Sequence, residues 1–173
     1  DNGWTFDLTV AHLNGAAYSA ADLNLTMGGL GKLNFNQGNS GNGIDSFDDK
    51  MPTAWEEPWG AGLSTGIKLV SGVGPVANVQ YTTPTILGVT LTAATGRMGQ
   101  TDIGDKEGGF TSTSSGDKNK GYDGTININP SLGTEILSGL NLFVGAHYQE
   151  VETLAANNLY EGVAGITYDI GPI

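Results

Sequence analysis

The sequence predicts an all-β chain, with eight antiparallel strands in up-and-down order forming a segment of a transmembrane β-barrel. Three observations predict it. Apolar and hydrophilic residues alternate with period two in eight separate stretches, while helical spacing almost never occurs. The connections alternate between short and long, so in an antiparallel meander all turns fall at one end and all loops at the other. The large aromatics sit near both ends of the strands, on the apolar face of each.

The first strand covers 4–13, where Trp4, Phe6, Leu8 and Val10 alternate with Thr5, Asp7, Thr9 and Ala11. In the second, over 22–27, Leu23, Leu25 and Met27 oppose Asp22, Asn24 and Thr26. After the turn Gly28-Gly29, Leu33 and Phe35 oppose Lys32, Asn34 and Asn36. Ala77, Val79 and Tyr81 oppose Asn78, Gln80 and Thr82, and Val89, Leu91 and Ala93 oppose Thr90, Thr92 and Ala94. Tyr122, Ile126 and Ile128 face away from Asp123, Thr125 and Asn127. Leu140, Leu142, Val144, Ala146 and Tyr148 face away from Asn141, Gly145, His147 and Gln149. The last strand sets Tyr160, Ala164, Ile166 and Tyr168 against Glu161 and Thr167. Short connections are expected at 28–31, 84–88 and 130–139, and mostly long polar ones at 14–20, 38–75, 96–121 and 149–158. Leu63, Thr65, Ile67 and Leu69 also alternate, but a ninth strand there would put the loop at 96–121 on the turn side, so it belongs to the 38–75 connection.

The aromatics decide which way the apolar face points. Tyr122, Tyr148 and Tyr160 lie where strands meet long loops; Trp4, Tyr81 and Tyr168 lie at the short-turn end. A water-soluble sandwich would hold such side chains mid-strand, in its core. Two rows bounding an apolar band describe the aromatic girdles of an outer-membrane barrel. Composition narrows the function classes further. With 7 Lys plus Arg against 18 Asp plus Glu, a net charge of −11 leaves nothing to neutralise a row of nucleic-acid phosphates. The absence of cysteine excludes disulfide scaffolds, thiolate metal sites and cysteine nucleophiles. The uncharged stretch 69–96 is long enough for a membrane helix, but Pro75, Pro84 and its glycines exclude one. The first residues, Asp1-Asn2-Gly3-Trp4, lack the basic and apolar regions of a signal peptide.

Two stretches carry a family resemblance. Gly28-Gly29-Leu30-Gly31-Lys32-Leu33-Asn34-Phe35 resembles the glycine turn and strand before the constriction loop of Gram-negative general-diffusion porins. Val79-Gln80-Tyr81-Thr82-Thr83-Pro84 with Leu87-Gly88-Val89-Thr90-Leu91 is similar to the strand–turn–strand that follows that loop. The resemblance implies a sixteen-stranded homotrimeric barrel in a bacterial outer membrane, with water-filled pores for ion and solute transport. It implies that the third long loop, here 38–75, folds inward to narrow the channel. This chain would then be an internal stretch, about the third to the tenth strand, because it ends on Asp169-Ile170-Gly171-Pro172-Ile173, a turn rather than a strand with a terminal aromatic. Eight strands could also close as a small barrel, but its filled interior leaves no room for so long a loop.

The loop 38–75 carries Asp45, Asp48, Asp49, Glu56 and Glu57. In the porin layout these line the pore constriction, concentrating cations by field focusing. The family sets basic residues on the facing wall, and Lys32 is the one good candidate here. Asp45, Asp48 and Asp49 could alternatively share a Ca²⁺; no other cofactor is expected. The loop 96–121, with Asp102, Asp105, Glu107, Asp117, Lys106, Lys118 and Lys120, would face outward toward lipopolysaccharide. Other motifs carry less. Ser40-Gly41-Asn42-Gly43-Ile44-Asp45-Ser46-Phe47 partly matches one calcium β-roll repeat, and such rolls need several copies. Gly62-Leu63-Ser64-Thr65-Gly66, followed by Asp123 and His147, has hydrolase order but lacks the strand before the serine and the helix after it. Gly72-Val73-Gly74-Pro75 leads into no helix, which excludes a dinucleotide site. His12 and His147 lack partners at metal-ligand spacing and are expected to bond water or the wall. The reading is a non-enzymatic porin for small hydrophilic solutes, weakly cation-favouring. The alternatives are a soluble β-sandwich or β-roll acting as a binding or surface-layer module, and a lipid-acting hydrolase using Ser64.

Overall fold

The computed structural model describes residues 2–13, 16–37, 41–50, 70–74, 76–98, 119–130, 139–150 and 158–169, without the side chains at 12–13, 16–19, 49 and 119. Eight strands follow one another: β1 Thr5–Leu13, β2 Ala16–Thr26, β3 Lys32–Gln37, β4 Asn78–Thr82, β5 Val89–Met98, β6 Asn119–Ile128, β7 Leu140–Gln149 and β8 Leu159–Tyr168. They form one sheet in sequence order, every neighbour antiparallel. β1 and β8 do not pair with each other, so the sheet is open and the small closed barrel is not formed. No second sheet faces it among the described residues, as a sandwich would require.

The register gathers most of the apolar residues of the eight strands on one face, because side chains alternate with period two. Phe6 opposes Leu25, and Leu8 opposes Leu23; Leu23 then opposes Phe35 and Leu25 opposes Leu33. The stripe continues through Leu33–Tyr81 and Phe35–Val79, then Leu91–Ile126, Ile126–Val144 and Val144–Ala164. This face is the exposed one: Phe6 keeps 69% of its surface, Ile166 69% and Tyr160 71%. The other face carries Asn34, Asn36, Asn78, Asp123, Thr125, His147 and Gln149, all buried. A water-soluble protein buries apolar side chains and exposes polar ones, so burial is inverted over β3–β8, while both faces of β1 are exposed. Phe6, Leu25, Val79 and Leu142 do not meet in a dry interior; they are spread over four strands of the open face.

Two short turns fall where the sequence places them. Between β2 and β3 a 3-10 turn over Gly28–Leu30 is closed by Met27 N–H donating to Gly31 O at 2.8 Å. Gly31 has φ +91°, and a Cβ there would collide with the Thr82 carbonyl. Between β4 and β5, Leu87 and Gly88 both have positive φ, the requirement of a two-residue type I′ turn, with Ile86 and Val89 exchanging hydrogen bonds of 2.9 Å. The side expected to carry long connections differs in part. β2 begins at Ala16 rather than 22, so the expected loop 14–20 shrinks to Asn14-Gly15. Ala11 pairs with Ala20 and Leu13 with Ala16; this alanine-rich run has too little hydropathy contrast to alternate visibly. Likewise β5 extends to Met98 and β6 begins at Asn119, cutting the 96–121 connection to 99–118. The region 63–69 lies outside the described residues.

Candidate functional site

The hydrophilic face is not bare. The described parts of the 38–75 connection, a 3-10 segment at Gly43–Lys50 and the turn around 70–74, lie across it against β5–β8. Their hold is partly apolar. Ile44 and Phe47 are fully buried with Val70, Phe143 and Val163, and the Phe47 and Phe143 rings stack at 4.6 Å between centroids. Lys50 Nζ lies 5.2 Å from the Phe47 ring centroid and 5.5 Å from that of Phe143, close enough for cation–π attraction. Phe143 on β7 and Val163 on β8 break the alternation by placing buried apolar groups on the polar side. Gly145 opposes Val163 and Gly165 opposes Phe143. A Cβ on Gly145 would press on Ile44 at 2.7 Å and on the Phe47 ring at 3.2 Å. Glycine at that position therefore lets the loop approach.

The polar half of the hold centres on Asp123. Its Oδ1 lies 2.5 Å from His147 Nδ1, and both side chains are 0% exposed. Its Oδ2 accepts the Ile44 N–H at 2.8 Å and the Val73 N–H at 3.2 Å. One carboxylate thus fastens both arms of the loop to the sheet. Each donor follows a glycine in the left-handed region, Gly43 at φ +59° and Gly72 at +50°, and a Cβ on either would strike the carboxylate. Gly72→Ala is therefore expected to loosen the loop by roughly 1–3 kcal/mol, through backbone strain and displacement of the carboxylate; a faster proteolytic nick in the loop, without loss of the sheet, measures it. Further contacts bind the same arms: Gly72 N–H donates to Glu161 Oε2 at 2.9 Å and Gly43 N–H to Gln80 Oε1 at 2.7 Å.

Toward β2 the face becomes a ladder of amides. Asn42 Nδ2 donates to Asn34 Oδ1 at 2.6 Å and to Asn78 Oδ1 at 2.7 Å. Asn34 Nδ2 donates to Asn24 at 2.8 Å and also to Asp22, while Asn78 Nδ2 donates to the carbonyls of Val73 and Val76 at 2.8 Å. Asn34 and Asn78 each accept from Asn42 and donate onward, so the loop is fixed to a polar wall by a chain of amide hydrogen bonds.

The residues singled out from sequence fall into three groups. Asp45 is buried in the 3-10 segment and accepts the Gly41 N–H; Asp48 is half-buried beside it. Lys32 is half-buried on the hydrophilic face, opposite Thr26 and Thr82. Glu56, Glu57, Ser64, the side chain of Asp49 and that of His12 lie outside the described residues, as do Asp102, Asp105, Lys106, Glu107, Asp117 and Lys118. Among the described residues no group of three or more His, Cys, Asp or Glu side chains is arranged to hold a metal. Asp123 and His147 meet as a hydrolase dyad would, but they lie fully buried under Ile44 and Val73, with the carboxylate's second oxygen spent on the loop backbone. His147 does bond the wall, as expected from sequence. The aromatic positions line up on the open face: Tyr122, Tyr148 and Tyr160 are consecutive in register, with ring centroids 6.2 Å and 5.2 Å apart. At the short-turn end are Trp4, Tyr81 and Tyr168, with Tyr81 Oη donating to Leu30 O at 2.7 Å.

No protein-family model, curated protein or solved structure matches the chain. The class defined by the fold and site is an all-β antiparallel meander with one apolar, largely exposed face and one polar face partly covered by a loop.

Proposed function

We propose that this chain is a stretch of a bacterial outer-membrane porin that passes small hydrophilic solutes and ions by diffusion. The observation that carries the reading is the inverted burial of β3–β8: their apolar sides are the more exposed ones, and their amides, hydroxyls and carboxylates turn toward the described segments of a loop that lies across them. Lipid is the solvent that suits the first face and water the second. The distance from Tyr160 to Tyr168 along β8, eight residues at ~3.3 Å with a tilt of ~40°, projects to roughly 20 Å, near the ~25 Å apolar band of such barrels. Unpaired strand edges are not tolerated in hydrocarbon, so the reading requires further strands beside β1 and β8. A sixteen-stranded homotrimer in contact with lipid and lipopolysaccharide is the assembly it proposes, with the loop 38–75 narrowing the pore.

Selectivity follows from charge. The inner sides of the strands carry Asp7, Asp22, Asp123 and Glu161 against Lys32, and the loop adds Asp45, Asp48, Asp49, Glu56 and Glu57. A confined aqueous passage with this excess favours cations weakly. No covalent chemistry is required of any residue, and neither a metal nor an enzymatic group is invoked. Reconstitution tests the whole reading. The full-length protein should resist extraction by buffer, dissolve in detergent and give steady conductance in planar bilayers, with a reversal potential on the cation side in a salt gradient. Replacing Asp48, Glu56 and Glu57 by their amides should lower the cation-to-anion ratio. Release by buffer with no conductance would favour a soluble module instead.

A further inference from the structure

We propose that the outward face holds the phosphate of an anionic lipid between Arg97 and Lys120, with an acyl chain in the groove beside them. The inference rests on the membrane-spanning reading and assigns it a specific lipid site. Arg97 on β5 and Lys120 on β6 are direct cross-strand partners, and both are exposed. Like charges directly opposite each other destabilise a sheet. The chain has only 7 Lys and Arg in all and a net charge of −11, so two cations side by side are not a statistical consequence of a basic surface. The neighbouring acid is Glu150, whose N–H donates to Lys120 O at 2.9 Å; among the described residues no carboxylate forms an ion pair with either cation.

Their position matches a headgroup. Lys120 lies on the same face as Tyr122, two residues or about 7 Å farther toward the loop end. The row Tyr122, Tyr148 and Tyr160 would mark the boundary of the apolar band, so the two cations stand just outside it. From them a groove of ≈ 890 Å³ runs across the strands from β6 to β1, lined mainly by Leu8, Leu23, Phe35, Ala77 and Val79 and also by Gln37, with Arg97 and Lys120 at its β5–β6 end. The small side chain of Ala77, between the bulky Phe35 and Val79 and the long Arg97, leaves the trough. An apolar trough ending in two cations is complementary to one molecule class: an acyl chain carrying a phosphate. The guanidinium can bind two phosphate oxygens at once while the ammonium adds a point charge.

The test uses the full chain in neutral detergent, with lipid retention read by native mass spectrometry. Dimyristoyl phosphatidic acid should be retained over the matching phosphatidylcholine. In the double variant Arg97→Ala, Lys120→Ala that retention should fall roughly 25-fold, about fivefold per basic residue near an anionic headgroup. Ala77→Leu, which fills the trough, should weaken phosphatidic acid without touching the cations. Equal retention by the double variant would overturn the proposal. So would competition by inorganic phosphate as effective as by the lipid, which would mean an ion site without a chain. A change of oligomeric state in the variant without a change in lipid retention would also overturn it, because the cations would then be serving a second copy of the chain. Conductance in phosphatidylcholine bilayers separates the two claims: intact conductance with unaltered retention sinks this site alone, whereas a wild-type protein that neither inserts nor conducts sinks the porin reading beneath it.

Discussion

Asp123→Ala should release the loop from the sheet and, on the proposed porin reading, widen the passage. The carboxylate is bonded to three groups in a fully buried place: His147 Nδ1 at 2.5 Å, Ile44 N–H at 2.8 Å and Val73 N–H at 3.2 Å. Alanine leaves all three without a partner, at about 1–3 kcal/mol for each buried group. Opposing this is the burial of Ile44, Phe47 and Val73, each worth about 1.5–3 kcal/mol. The two sums are of the same size, so the docked arrangement no longer dominates. Proteolysis within the loop should accelerate on the order of a hundredfold, the equivalent of about 3 kcal/mol. Conductance should rise, and eight-strand pairing should persist in circular dichroism. Asp123→Asn should be milder, since its oxygen can still accept from the loop while its amide donates to a neutral His147 ring. Cleavage and conductance equal to wild type in Asp123→Ala would show that apolar contacts alone hold the loop.

The sheet was legible in the sequence because period-two alternation is a property of each strand by itself, and the register only had to keep the apolar sides together. Leu25, Leu33 and Tyr81 fall on one stripe for that reason. The docking of the loop was less legible because it depends on pairs far apart in the chain. Phe143 and Val163 give the local signal, each an apolar residue at a hydrophilic position of a neighbouring strand. What answers them is Ile44 and Phe47, about a hundred residues away in sequence. Asp123 looked like one more polar wall residue, since nothing in its neighbours tells that two glycine-led backbone amides from 79 and 50 residues away converge on it. Asp45 shows the reverse. Its charge suggested an open rim, but its carboxylate is turned to the loop's own Gly41 backbone. β2 was foreshortened in the sequence because Ala20 and Ala21 carry no hydropathy contrast, while hydrogen bonds to β1 do not depend on side-chain type.

The outward face gives the second large effect, Val144→Arg. Val144 lies mid-strand on β7 between Ile126 and Ala164 and keeps 45% of its surface. Were this face in water, a half-exposed valine on a sheet would accept arginine within about ±0.5 kcal/mol. In hydrocarbon near the bilayer midplane the same change costs about 2–4 kcal/mol, because the guanidinium loses its hydration with no counter-charge nearby. Arg97 and Lys120 do not contradict this, since they lie beyond the tyrosine row, where a charge reaches the headgroups and the depth-dependent cost falls toward zero. Urea titration of the protein folded into phosphatidylcholine vesicles should therefore show Val144→Arg destabilised about 30-fold to 1000-fold in the folding constant. Arginine at Tyr160, nearer the edge, should cost much less. The ratio between the two sites reads depth directly, which neither extraction nor conductance can do. A flat profile, with both substitutions equally mild, would place the apolar face against water or against another protein and remove the reason for calling these strands membrane-spanning.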